Sequence, residues 1–181
     1  NPKKVSFSSL RPMMVTTAHN NTYRLKKLHL QIHPKNQKIL VLNNQREVLE
    51  VVSSLELEGS GHIRVIRSKN RDKSHRYEGT FHIVSRDGEI HVINHVSMED
   101  YVRGVVPSEV VGSWPLEAQK AQAVAARTYA RYHQVTGNRE LYDVDDTARF
   151  QVYTGLDHAT EKTNRAVEET AHQIMSYHGQ V

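Results

Sequence analysis

Glu109 is the only acid between two prolines, Pro107 and Pro115. The run before it, Asp100-Tyr101-Val102-Arg103-Gly104-Val105-Val106, has helical spacing, and so does the run after Pro115. An acid at a break between two packed helices can be held rigidly and still be reached by a ligand. General acid and base catalysis needs both properties. A carboxylate that only solvates a turn would occupy the same position, and position alone leaves both readings open.

The elements that must position Glu109 are legible. Ser97 is a suitable N-cap, with Asp100 where a capping acid stands, so Asp100 reads as a helix-start residue. Met98, Tyr101, Val102 and Val105 form an apolar face, and Pro107 predicts a stop near Val106. A second helix is predicted from about Trp114 to Val135, with Pro115 at its first position and Gly137-Asn138 as its stop. Its interior alanines, from Ala118 to Ala130, predict close packing on several sides. Arg127 sits among them and can pair with a core carboxylate, while Lys120 reads as a surface partner of Glu117. Leu141 to Tyr153 reads as extended or looped. Asp157 predicts the cap of a third helix over about 159–171, and Gln173–Tyr177 a last strand.

Upstream, residues 1–22 show no period and predict a loose arm. Strands are predicted at 28–32, 39–42, 48–52 and from Ile63 to Arg67, with a polar loop from Ser68 to Ser74. Arg86-Asp87-Gly88 predicts a tight hairpin between Tyr77–Ser85 and Glu89–His95. The fold class is therefore α+β. An antiparallel β lobe (1–76) is followed by a helical core (77–181) built on the alanine-rich helix, with a substrate groove beside it.

At 181 residues the chain can bury a real core, and no apolar run approaches the ~18 residues of a membrane span. The start at Asn1 predicts a mature or trimmed fragment. There is no cysteine, which excludes disulfides and thiol chemistry. Residues 1–95 carry 16 Lys and Arg against 8 Asp and Glu, and residues 96–181 carry 8 against 12. The basic half suits a polyanionic partner or a solvated strand face. Aromatic residues are too sparse there for nucleic-acid stacking, so none is expected as partner. The twelve histidines fall largely on alternating strand positions, and no metal or cofactor is assigned. Ser108 lacks the Gly-x-Ser-x-Gly surroundings of a serine nucleophile.

Asn94–Glu109, Trp114–Tyr129, Gln151-Val152-Tyr153 and Met175–Gln180 closely resemble the stage II sporulation protein D family, also called amidase enhancers. The match runs from about Tyr77 to Gln180. It implies a lytic transglycosylase acting outside the cytoplasm on peptidoglycan glycan strands whose stem peptides an amidase has removed. It also implies a cell-wall amidase as partner. Glu109 takes the position of the family's catalytic acid and Arg127 that of its required arginine. Two departures stand out. The strip Asp145-Asp146-Thr147-Ala148-Arg149-Phe150 lacks the Cys and His positions through which some members bind zinc, so no zinc is expected. The family also continues past Gly179-Gln180, so the chain reads as a shortened member or one lacking part of its cleft.

The implied chemistry needs one carboxyl, because the sugar's own C6 hydroxyl is the nucleophile. Glu109 would protonate the leaving oxygen and then take the hydroxyl proton. A raised pKa would follow from apolar neighbours, with Val105, Val106, Val110, Val111 and Trp114 as candidates. Arg127 would grip an N-acetyl oxygen or a lactyl carboxylate. Gln151 and Tyr153 would reach sugar hydroxyls or end a buried strand. Trp114 would stack on a pyranose or anchor the core. The competing reading is a glycan-binding module that stimulates an amidase without cleaving anything.

Overall fold

The computed structural model describes residues 3–67 and 74–181. It is an α+β structure with an antiparallel sheet and three helices, divided into two compact units, Asn1–His95 and Val96–Val181. Residues 68–73 of the predicted polar loop lie outside the described residues.

The first unit holds nine strands among the described residues: β1 (Lys4–Thr17), β2 (Thr22–Ile32), β3 (Ile39–Leu42), β4 (Val48–Val52), β5 (Ser54–Gly59), β6 (Ile63–Ile66), β7 (Ser74–Tyr77), β8 (Thr80–Arg86) and β9 (Glu89–His95). They form one sheet in the order β4-β3-β2-β1-β5-β8-β9, with β6 bridging β1 and β7. The predicted loose arm is instead the hub. β1 pairs β2 on one edge, and on the other it pairs β6 through Ser6–Ser8 and β5 through Met13–Thr17. Val5 and Phe7, then Met13, Val15 and Thr17, point inward and are buried. The register shift between Ser8 and Met13 interrupts the alternation, which is why the sequence showed no period there.

The unit is held by apolar burial. Met13, Leu28, Leu57, Phe81 and Ile83 are at most 1% exposed, and each such side chain contributes about 1.5–3 kcal/mol. Phe81 meets Phe7 and Tyr77 edge to face, at 5.7 and 6.1 Å between ring centroids. The hairpin turn forms as predicted, with Asp87 and Gly88 both at positive φ (54° and 72°). The sequence reading grouped this hairpin with the C-terminal core. Leu57 pairs Phe81, however, so β8 continues the sheet and the two units divide after His95.

The second unit holds α1 (Met98–Glu109), α2 (Leu116–Thr136) and α3 (Glu161–Glu168). Ser97 caps α1, accepting from the Asp100 N–H at 3.1 Å, and Asp100 pairs with Arg103 at 3.0 Å. α1 runs three residues past the predicted stop, with Pro107 inside it. The bond Pro107 cannot donate is lost, but the Ser108 hydroxyl donates to the Gly104 carbonyl at 3.1 Å and the Val110 N–H to Val106 at 3.1 Å, carrying the turn on. Pro115 is the N-cap of α2 rather than its first residue, and Gly137 ends the helix as expected. Only one stripe of α2 is buried: Gln119, Ala123, Ala126, Arg127 and Ala130. Ala121 on the far side is exposed, so packing on several sides does not hold. α3 is shorter than predicted and is capped by Thr160, not Asp157, through a reciprocal Thr160–Thr163 box. Gln173–Tyr177 is not a strand. The Gln173 carbonyl accepts from Arg127 at 2.9 Å and the Met175 N–H donates to the Thr128 hydroxyl at 2.9 Å. Those backbone groups are spent on α2 side chains rather than on a ladder.

Candidate functional site

Glu109 is the last residue of α1 and is exposed. Its Oε1 accepts the Val152 N–H at 2.8 Å. That bond belongs to a row of contacts that lays residues 151–154 along α1. The Tyr101 hydroxyl donates to Gln151 Oε1 at 3.3 Å, and the Tyr101 and Tyr153 rings lie 4.9 Å apart. Ser108 Oγ is 2.9 Å from Thr154 Oγ1. Gly104 makes the approach possible, because a Cβ there would stand 2.5 Å from Tyr153 Cε2 and 3.0 Å from the Gly155 carbonyl oxygen. The glycine that lowers helix propensity in α1 therefore seats the segment that holds the acid.

The apolar shell expected around Glu109 does not assemble. Val105 and Val106 are buried on the core side of α1, whereas Val111 and Trp114 are 58% and 44% exposed. Burial first, then the Tyr129, Glu109, Asp145 and Asp146 charges, push the Tyr101 hydroxyl well above its usual value. Asp145 and Asp146 thus act on the same buried hydroxyl as Glu109. Their strip is anchored by aromatic contacts. The Arg139 guanidinium lies 4.3 Å above the Phe150 ring, and Phe150 meets His133 of α2 at 5.0 Å.

Arg127 is 2% exposed, and all of its donors are used within the unit. Nε and Nη2 fork onto the two oxygens of Glu99 at 3.0 and 2.8 Å. Nη1 reaches the Gln173 and Ala123 carbonyls at 2.9 and 3.4 Å, and Nη2 reaches Val167 at 3.5 Å. The expected ligand-gripping arginine is therefore a clamp joining α1, α2, α3 and the C-terminal segment, closed to a ligand in this arrangement. Its partner Glu99 was missed. The available signal was a buried guanidinium in search of a carboxylate, with Glu99 in the first turn of α1. Burial alone would raise the Glu99 carboxyl. The Arg127 hydrogen bonds, the His172 N–H and the Arg127 charge outweigh it and hold the carboxyl below the usual range.

Gln151 and Tyr153 are 7% and 8% exposed, so the sugar-reaching tips expected of them are largely covered. Trp114 lies in the turn between α1 and α2, with its indole partly open. Its carbonyl accepts from Gln119 Nε2 at 3.2 Å and from the Lys162 amine. Lys120 pairs with Glu117 at 2.8 Å as expected, and also with Glu169 at 2.5 Å. Two pockets among the described residues lie on the β unit, and neither includes Glu109.

A family model described as stage II sporulation protein matches residues 86–177, half of the chain, and spans α1, α2, Glu109 and the 151–154 segment. The chain belongs to this family. Its sporulation-protein relatives include stage II sporulation protein D of Bacillus amyloliquefaciens, 37% identical over an alignment of 102 residues that covers 48% of this chain and 30% of that protein. The chain is also similar to the amidase enhancer of Bacillus subtilis, 45% identical over 78 residues, or 43% of this chain and 10% of that one. An uncharacterized protein of Brachyspira hyodysenteriae is 42% identical over 106 residues, 58% of this chain and 29% of its own length. The chain thus spans three-tenths or less of each of these relatives.

Proposed function

We propose that the helical unit cleaves stem-peptide-free glycan strands as a lytic transglycosylase, with Glu109 as its single acid and base. The observation that carries this reading is an exposed carboxyl at a helix end, fixed through Oε1 by a backbone N–H, inside the segment matched by the family. The second oxygen, Oε2, remains for a substrate proton. Protonated Glu109 gives its proton to the glycosidic oxygen, and the bond from that oxygen to C1 breaks as oxocarbenium character develops. The C6 hydroxyl of the same sugar attacks C1 while the carboxylate takes the hydroxyl proton. One strand gains a 1,6-anhydro end, the other a free hydroxyl, and no water is consumed.

In this reading Gln151, Tyr153 and Arg127 are positioning residues. Gln151 and Tyr153 hold the segment whose Val152 N–H orients the acid, and Arg127 locks α1 to α2. Trp114 offers its open indole face to a pyranose beside a groove running along α2. The substrate places the protein outside the cytoplasm. No helix of the described residues is long and apolar enough to cross a membrane. The test is to incubate the protein with amidase-stripped glycan and analyse the ends by mass spectrometry. Wild type yields anhydro ends and Glu109→Gln yields none. Anhydro ends that persist in the variant remove Glu109 from the chemistry.

A second reading is favoured by the missing apolar shell and by the similarity to a protein named amidase enhancer. The unit would then hold glycan and stimulate an amidase. Wild type would release no anhydro ends, and Glu109→Gln would stimulate the amidase as well as wild type does.

A further inference from the structure

Strand register sets basic side chains abreast on the outer face of the β unit. Lys27 of β2 pairs Ser8 of β1, Ser8 pairs Arg64 of β6, and Arg64 pairs Arg76 of β7. Directly opposed residues of an antiparallel pair share a face, so these four form one row across four strands. The neighbouring row is His29, Ser6, Ile66 and Ser74. The inward positions between them, Phe7, Leu28 and Val65, are buried core. Between the rows lies an open pocket of about 600 Å³ lined by Lys27, Arg64, Asn44 and the serine hydroxyls. A second pocket of about 350 Å³ adds Arg24 and Lys26 and shares Lys27 and Asn44 with the first, so the two are continuous. Among the described residues, none lining either pocket is acidic. Arg64 Nη1 donates to the Ser74 hydroxyl at 3.0 Å, which fixes the guanidinium on this face. Burial first, then Arg46 and Lys27, lower the His29 pKa, as expected beside clustered positive charge.

We propose that this face is a second ligand site, a cationic trough for an acidic polysaccharide strand. The row spans four strands at ~4.8 Å spacing, longer than a single small anion requires and suited to an extended polymer with repeated carboxylates. The hydroxyls and the Asn44 amide suit sugar oxygens. Of the two aromatic rings among the described lining residues, Phe7 is 1% exposed and His29 is half-buried against the Ser6 hydroxyl at 2.8 Å, so bases find little stacking platform and nucleic acid is disfavoured. Naming a stripped glycan strand, with its lactyl carboxylates, rests on the reading of Glu109 given above.

The experiment titrates the full chain by calorimetry with stripped glycan strands, a neutral chitin oligosaccharide and single-stranded DNA. The glycan binds, and Lys27→Glu with Arg64→Glu weakens it by at least roughly tenfold, because a like charge now faces the carboxylates. Should the double variant fail to fold by circular dichroism, Lys27→Gln at its exposed position must by itself weaken binding by about threefold. Unchanged glycan binding in these variants, equal binding of the neutral oligosaccharide, or tighter binding of DNA overturns the proposal. The two readings fail separately. A wild type that releases no anhydro ends but loses glycan with the Lys27 and Arg64 changes sinks only the catalytic reading. Anhydro ends with unaltered binding in the variants sink only the trough.

Discussion

The two units are held together by different physics. In the β unit, strand alternation buries one apolar face, and the cohesion is spread over many side chains such as Met13, Leu57 and Phe81. In the helical unit the buried stripe of α2 is three alanines with the Gln119 amide and the Arg127 guanidinium among them, and a few polar residues carry much of the joining. Small side chains bring backbones close but bury little area each. The Arg127 fork supplies specific connection where apolar bulk is scarce. The β unit should therefore tolerate polar change outside its core, while the helical unit should fail sharply when one polar partner is removed.

The largest effects test that contrast directly. Arg127→Ala strands the part-buried Glu99 carboxylate and empties the buried guanidinium site, and Phe81→Ala opens a cavity beside Phe7. Each should cost about 3–5 kcal/mol, by unpaired charge in the first case and lost packing in the second. Denaturant unfolding followed separately at Trp114 and by β-sheet circular dichroism should show Arg127→Ala weakening the helical transition and Phe81→Ala the sheet transition. Equal loss in both signals from either variant would mean that the units do not unfold as distinct bodies.

Next comes Gly104→Ala. Its Cβ meets Tyr153, and relieving the overlap should cost about 1–3 kcal/mol. Glycan-cleaving activity should fall further than stability does, because the displaced segment carries the Val152 N–H away from Glu109. A variant that loses stability without a drop in turnover would separate the 151–154 segment from the acid's function.

Acid titration sharpens the comparison. The folded Glu99 carboxyl is held below its ordinary value of 4.5. Its contribution is therefore fully present above that value and is lost as pH falls through the lower, folded one. The helical transition should weaken on acidification through this range, and Glu99→Gln should flatten that dependence while lowering stability at neutral pH. The smallest expected effect is at the hairpin. Gly88→Ala forces a Cβ to φ +72° and should cost the β unit about 1 kcal/mol in the same unfolding assay.

The sequence carried local features well and long-range ones poorly. Ser97 as a cap, Asp87-Gly88 as a turn, Gly137 as a stop and the 39–42 and 48–52 strands were readable, because each is fixed by residues a few positions apart. β1 was not, since its alternation breaks at a register shift whose partners lie in β2, β5 and β6. Pro107 misled for a related reason: a lost backbone bond is tolerated when a neighbouring hydroxyl and the packing of Val105 and Val106 hold the turn. In the candidate site, Glu109 was proposed from its proline-bounded position and its family-like surroundings. Glu99 was not, because pairing across 28 positions leaves no local mark. The covered tips of Gln151 and Tyr153 followed from Gly104, whose role as a seat becomes visible only once the 151–154 segment is laid on α1.

The most direct test of the central claim uses water enriched in heavy oxygen. Stripped glycan is cleaved in that water, and the new ends are weighed. Attack by the sugar's own hydroxyl under Glu109 control predicts anhydro ends with no heavy oxygen in wild type and no new ends in Glu109→Gln. Heavy oxygen at new reducing ends, or cleavage that survives the substitution, would contradict it.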